Sequence, residues 1–263
     1  MDLGLKNRSA IVSGATRGIG RAIAVALAGE GVHLALFARE MERCNAFADE
    51  LRGRHPGLRV QPVKLDLEEP ATIKPAIEQA VAALGGVDIL VNCAGGAYRG
   101  RLNEIPDEAW ERYFKVKPLG LIRVTRETLP HLKKSDQGRV INISGTRGRE
   151  PEAHSVMSGP INFGTLSVTK AMANEFGPYG ITVNAITPGS TRTRRWTELV
   201  NITARERGLS EEAAERHLLQ EVPLGKVIDP EDVADLAVFL ASARARLISG
   251  CAINVDGGRT RSI

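Results

Sequence analysis

The sequence predicts a doubly wound α/β domain, a mostly parallel sheet of seven strands flanked by helices. Two observations carry this. Short runs of β-branched and aliphatic residues alternate with helical stretches from one end of the 263-residue chain to the other. The runs are continuously apolar instead of alternating, as strands covered on both faces are, and the connections are long enough for parallel crossovers. No internal repeat, low-complexity segment or linker interrupts the pattern, so residues 1–263 read as one domain.

The elements follow in order. Ser9–Ser13 is a buried-strand run, and a glycine-rich turn leads from it into the helix pattern Gly20–Ala28. Val32–Phe37 is the second strand, 40–54 a helix, Leu58–Lys64 the third strand and Pro70–Leu84 a helix. Val87–Val91 is the fourth strand, and the long helical stretch Asp107–Leu132 precedes the fifth, Arg139–Ile143. Asn162–Phe176 is helical and Ile181–Ile186 is the sixth strand. The polar stretch Trp196–Gln220 is helical, Pro230–Leu240 is a helix opened by Pro-Glu-Asp, and Ala252–Val255 is the last strand. Glycines at Gly31, Gly57 and Gly85–Gly86 stand where helices should end.

Composition narrows the function classes. Charged residues make up 25% and hydrophobic ones 43%, and the formal charge of +4 is too small for a nucleic-acid or membrane footprint. Cys44, Cys93 and Cys251 are far apart and form no CxxC pair, which argues against a disulfide framework. No apolar run is long enough for a membrane helix, and Met1–Asn7 lacks the apolar stretch of a signal peptide, so a cytoplasmic location is expected. His33, His55, His131 and His217 are scattered without ligand spacing, and no metal site is expected.

The first chemical signal is Ser13-Gly14-Ala15-Thr16-Arg17-Gly18-Ile19-Gly20, between a strand and a helix. Glycines allow a tight turn and close backbone approach, and the helix start offers N–H groups and a positive dipole end to a pyrophosphate. Further segments are Leu65-Asp66-Leu67, Asn92-Cys93-Ala94-Gly95-Gly96 and Pro188-Gly189-Ser190-Thr191-Arg192-Thr193. The closing segments are Pro230–Ser242, Ile248–Gly250 and Val255–Gly258. With these in this order, nearly the whole chain resembles the short-chain dehydrogenase/reductase family, which implies a Rossmann fold and a dinucleotide cofactor. The resemblance implies that Asp66 faces the adenine. It implies that the Pro188–Thr193 segment faces the nicotinamide carboxamide and phosphates. Leu67, Asn92, Ala94 and Gly95 join the cofactor-binding set. Segment 190–225 would cover the substrate, and relatives imply a homo-oligomer, dimer or tetramer, through the long helices.

Cofactor choice is read at the end of the second strand. A cofactor without a 2′-phosphate is normally held there by an acidic side chain. Here Ala38 is followed by Arg39, and Arg17 lies in the glycine turn. Two guanidinium groups suit a phosphate dianion, so NADP(H) is expected over NAD(H). The alternative is that Arg39 pairs with Glu40 or Glu42.

The resemblance also implies a catalytic Asn, Ser, Tyr and Lys. In register, the Asn falls on Lys117, the Ser on Gly145, the Tyr on Ser158 and the Lys on Asn162, so all four positions depart from the family pattern. No Tyr occurs between Tyr113 and Tyr179. Tyr113 and Lys117 form a Tyr-x-x-x-Lys, but before the fifth strand, and Tyr113 is assigned to packing or the surface. Positioned acid–base catalysis contributes roughly 10²–10⁴ in rate, about 3–5 kcal/mol. Candidate replacements are Lys117, His154, Ser144, Ser155 and Ser158. Lys117 could supply the cation missing at 162, the alternative being a snorkelling helix lysine. Ser144 and Ser158 are equally readable as a turn residue and a helix cap, and His154 as a solvated loop residue. Arg192, Arg194 and Arg195 could receive an anionic small-molecule substrate; the alternative is a solvated helix face. The expected function is NADP(H)-dependent hydride transfer with non-standard catalytic residues. The other readings are a non-redox NADP(H)-binding protein or a lyase or isomerase on the same fold.

Overall fold

A computed structural model describes residues 2–262 other than Ala97, Arg99 and His154. The strands are β1 (Ser9–Ser13), β2 (His33–Ala38), β3 (Val60–Lys64), β4 (Ile89–Asn92), β5 (Arg139–Ile143), β6 (Thr182–Pro188) and β7 (Ala252–Val255). Among the described residues they form one sheet of order β3-β2-β1-β4-β5-β6-β7. Every pairing is parallel, where the sequence predicts a mostly parallel sheet. The order reverses between β1 and β4, so a crevice opens at the C-terminal ends of those two strands.

Strand residues alternate between two cores. Ala10, Val12, Leu34, Leu36, Ile89 and Val91 pack toward α1 (Gly18–Gly29), α2 (Met41–Arg54) and α9 (Pro230–Ala241). Ile11, Ala35, Phe37, Leu90 and Val140 face α3 (Ile73–Leu84), α5 (Gly120–Leu132) and α6 (Ser158–Phe176). Both faces being covered is why the strands lack polar alternation. Among the described residues, no helix is long and apolar enough to cross a membrane.

Two predicted helices differ in ways that shape the site. The stretch Asp107–Leu132 is not one regular helix: α4 (Asp107–Phe114) and α5 are joined by a π turn, Lys115–Leu119. Pro118 has no N–H to give the preceding turn, and the helix widens around it. The stretch Trp196–Gln220 is two helices, α7 (Arg194–Arg207) and α8 (Glu211–Leu219). Gly208 ends α7 at φ +63°, and the Ser210 hydroxyl accepts the Ala213 N–H at 3.2 Å to start α8. Helix α6 begins four residues earlier than predicted, at Ser158.

Candidate active site

The glycine turn sits in the crevice and is built by close backbone approach. Gly14 and Gly18 have φ +68° and +49°. A Cβ at Gly14 would lie 2.9 Å from the Ala94 Cα, and one at Gly20 would lie 2.3 Å from the Gly14 carbonyl oxygen. A Cβ at Gly18 would meet the Thr193 methyl at 3.1 Å, so the turn, the loop after β4 and the segment before α7 converge. Helix α1 starts at Gly18, and Arg17 before it provides no side-chain cap. The amides of Gly18, Ile19 and Gly20 therefore have no capping oxygen from that residue, and they carry the positive end of the helix dipole.

Several residues assigned to cofactor contact have other structural work for their side chains. The Ser13 hydroxyl accepts the Cys93 and Ala94 N–H groups at 3.1 and 3.2 Å, which ties the loop after β4 to β1. Asn92 is buried and donates to the Asn142 Oδ1 at 2.9 Å and the Thr125 hydroxyl at 3.1 Å. Leu67 is buried in the core beside Gly120. Asp66 accepts the Glu68 N–H at 3.0 Å, and its carbonyl accepts the Thr72 hydroxyl at 2.9 Å. Pro188 ends β6, and Gly189 follows it, where a Cβ would lie 2.9 Å from the Asp256 Cβ. The Thr191 hydroxyl donates to the Gly189 carbonyl and the Thr193 hydroxyl to the Thr191 carbonyl. Thr16 is half-buried in the glycine turn.

Arg17 and Arg39 flank the end of β2 with half-exposed side chains. Arg17 grips Glu40 with both carboxylate oxygens at 2.8–2.9 Å. Arg39 pairs with Glu68 at 3.2 Å, not with Glu40 or Glu42 as the alternative held. Arg112 shares that Glu68 at 3.0 Å.

The π turn aims Lys117 inward. Its ammonium donates to the Asn162 Oδ1 at 2.7 Å and the Ser144 carbonyl at 3.0 Å, which overturns the snorkelling alternative. Its stem lines the crevice with Ser13, Asn92, Ala94 and Ile143. Burial pulls its pKa down to about 8, and the positive charge of Arg195 adds to that shift. Burial pushes the neighbouring Cys93 thiol up to about 12, so it stays protonated. The Ser144 hydroxyl donates to the Asn162 carbonyl at 3.0 Å and so clamps α6 to β5. Ser158 opens α6 as its first helical residue, so it is not the cap, which is Met157. The Ser155 carbonyl accepts the Ser158 N–H at 2.9 Å. His154 lies outside the described residues.

The arginine cluster divides. Arg192 pairs with Asp229 and Glu215, and Arg194 with Glu198. Arg195 turns instead toward the loop after β4, where a Cβ at Gly96 would lie 3.5 Å from its Nη1 and 3.3 Å from the Tyr113 Cε1. Sequence reasoning assigned Tyr113 to packing or the surface. Its ring packs in a small cluster with Ile105, Met157 and Ile161, yet its edge borders the crevice. The signal available in the sequence was its one-turn spacing from Lys117.

Comparison with known proteins agrees with this geometry. A family described as enoyl-(acyl carrier protein) reductase matches residues 14–260. The chain is 33% identical to D-beta-hydroxybutyrate dehydrogenase of Cupriavidus necator, over 97% of this chain and 98% of that one. It is also 33% identical to a 3-oxoacyl-(acyl-carrier-protein) reductase of Aquifex aeolicus, over 98% and 99% of the two chains. The L-sorbose reductase of Gluconobacter frateurii, solved with NADPH and L-sorbose, superposes with a TM-score of 0.94 at 29% identity, all of both chains being covered. Motif order, strand order and these matches together show that the chain belongs to the short-chain dehydrogenase/reductase family of oxidoreductases.

Proposed function

We propose that the protein interconverts a carbonyl and an alcohol with NADP(H), using an atypical catalytic set in which Lys117 carries the cation and the transferable proton. The carrying observation is the 2.7 Å contact between the Lys117 ammonium and the Asn162 carboxamide. Read against the family pattern, Lys and Asn have changed places between two helices and still touch.

The residues present fit the cofactor. The glycine cradle has no room for added Cβ atoms, and the start of α1 suits a pyrophosphate. Arg17 and Arg39 suit a 2′-phosphate, which would compete with Glu40 and Glu68 for them. NADPH in the sorbose reductase supports the preference over NAD(H). When bound, the cofactor supplies or accepts the hydride. Lys117 holds a proton that an ammonium with pKa about 8 can release near neutral pH, and Asn162 orients it. In the reducing direction that proton goes to the carbonyl oxygen, and the amine is reprotonated from solvent. Ser158 offers a hydroxyl at the start of α6 to polarise the carbonyl. Ser144 positions α6 through the Asn162 backbone. The names of the relatives favour this redox reading over a non-redox binding protein or a lyase. We further propose a cytoplasmic homo-oligomer built on α5 and α6, where Phe163 leaves 62% of its surface exposed.

The test combines NADPH fluorescence titration with turnover of a carbonyl panel. Lys117→Met should lower kcat by roughly 10²–10⁴ while NADPH affinity holds within about threefold. Full activity in that variant would refute the role given to Lys117.

A further inference from the structure

After β7 the chain turns back and joins two segments that border the crevice. The turn is set by the buried Asp256 carboxylate, which accepts the Gly258 and Thr260 N–H groups at 3.0 and 2.9 Å. The Arg259 guanidinium, 14% exposed, donates through one nitrogen to Glu152 at 2.9 Å and to Glu221 at 2.6 Å. Glu152 also pairs with Arg147, and Glu150 accepts the Arg261 and Ser262 N–H groups at 2.6 and 2.7 Å. Glu150 and Glu152 stand on segment 145–152, which presses on Asn162. A Cβ at Gly145 would lie 3.0 Å from the Asn162 Nδ2, and one at Gly148 would lie 2.9 Å from the Asn162 carbonyl carbon. Glu221 stands on segment 220–228, between α8 and α9. There the Gly257 carbonyl accepts the Leu224 N–H at 3.1 Å, and the Ser190 carbonyl accepts the Ile228 N–H at 2.9 Å. The second bond ties segment 220–228 to the stretch after β6, whose Thr193 methyl meets the glycine turn.

We propose that Arg259 is a positioning residue, which clasps segment 220–228 to segment 145–152 and holds the cover of the crevice closed over a carbonyl substrate. The two ends of the clasp differ. Arg259 and Arg147 both face Glu152, and the Asp256 turn fixes Arg259 from behind, so that end is anchored. Glu221 leaves 62% of its side chain exposed, and an ion pair open to water is weak and reversible. The bond to Glu221 can therefore break and re-form while the rest of the network stays. Substrate then enters and leaves without disturbing Asn162 or the glycine turn. The substrate role rests on the reductase reading above; the clasp between the two segments does not.

The experiment has two arms, run on the full chain and on Arg259→Gln, Arg259→Lys and Glu221→Gln. The first measures amide hydrogen exchange. In Arg259→Gln, segments 145–152 and 220–228 should exchange about 10-fold faster, with the central strands unchanged and NADPH affinity within about threefold. The second measures NADPH-dependent reduction of a carbonyl panel. Arg259→Gln should raise KM by about 10-fold and Glu221→Gln by about 2- to 5-fold, with kcat held within about twofold. Arg259→Lys keeps the charge and should return KM to within about threefold of wild type. Should Arg259→Gln fail to fold, Glu221→Gln and Arg259→Lys decide, since Glu221 is exposed and its loss leaves the Glu152 end intact. A fall in kcat with KM unchanged would mark a merely structural role and overturn the proposal. Unchanged exchange with unchanged KM would overturn it too, while the reductase reading stands. If wild type reduces no carbonyl but both segments exchange faster in Arg259→Gln, the clasp stands and the reductase reading falls.

Discussion

Lys117 should make the protein more stable as the solution turns alkaline, opposite to the effect of a lysine held by a carboxylate. Its ammonium has a pKa of about 8 when folded, because burial disfavours the charge, against 10.5 as an ordinary lysine. Between those values the unfolded chain holds a proton that the folded chain has released, so unfolding is penalised more as pH rises. Below the folded value both states are protonated, and the folded state carries the full burden of a desolvated charge. From about pH 7 to about pH 10 the linkage gives a gain of about 2–3 kcal/mol. For a chain of this size that is roughly 5–10 °C in Tm. The perturbation that isolates it is Lys117→Met, which removes the titrating group and leaves every other one in place. Urea unfolding of both proteins at fixed protomer concentration, in steps across that range, gives a difference curve in which wild type climbs relative to the variant. A flat difference curve would mean that Lys117 is solvated, and the proton-donor argument would go with it.

Three other outcomes follow from the site. Replacing Arg17 and Arg39 together by Ala should weaken NADPH binding by about 10- to 100-fold and NADH binding by less than about threefold, measured by fluorescence titration. Equal losses for both cofactors would remove the 2′-phosphate from the account. Gly145→Ser alone should destabilise the protein, because its Cβ would lie 3.0 Å from the Asn162 Nδ2. Made together with Ser158→Tyr, Asn162→Lys and Lys117→Asn, it should yield reductase activity on simple neutral ketones above wild type, read as NADPH oxidation.

Much of the fold was legible because it depends on local pattern. The apolar runs mark all seven strands to within a few residues, since buried parallel strands need continuous hydrophobic sequence. Where helices broke, the breakers were visible but their effect was not. Pro118 could have ended the long helix, and the helix instead widens around it into a π turn. The side chains of Asn92 and Ser13 show the same limit from the other direction. Their positions in motifs point to a ligand, and their hydrogen bonds go to the protein's own frame.

Residue order alone determined the architecture and the glycine cradle, because each is set by neighbours in the chain. Which groups meet across the crevice was decided only by folding. Lys117 and Asn162 are 45 residues apart and touch at 2.7 Å. Arg195 reaches Gly96 from a different helix, while Arg192 and Arg194 beside it turn away. Contacts of that kind depend on the turn of a helix and the burial of a charge, and spacing along a sequence encodes neither.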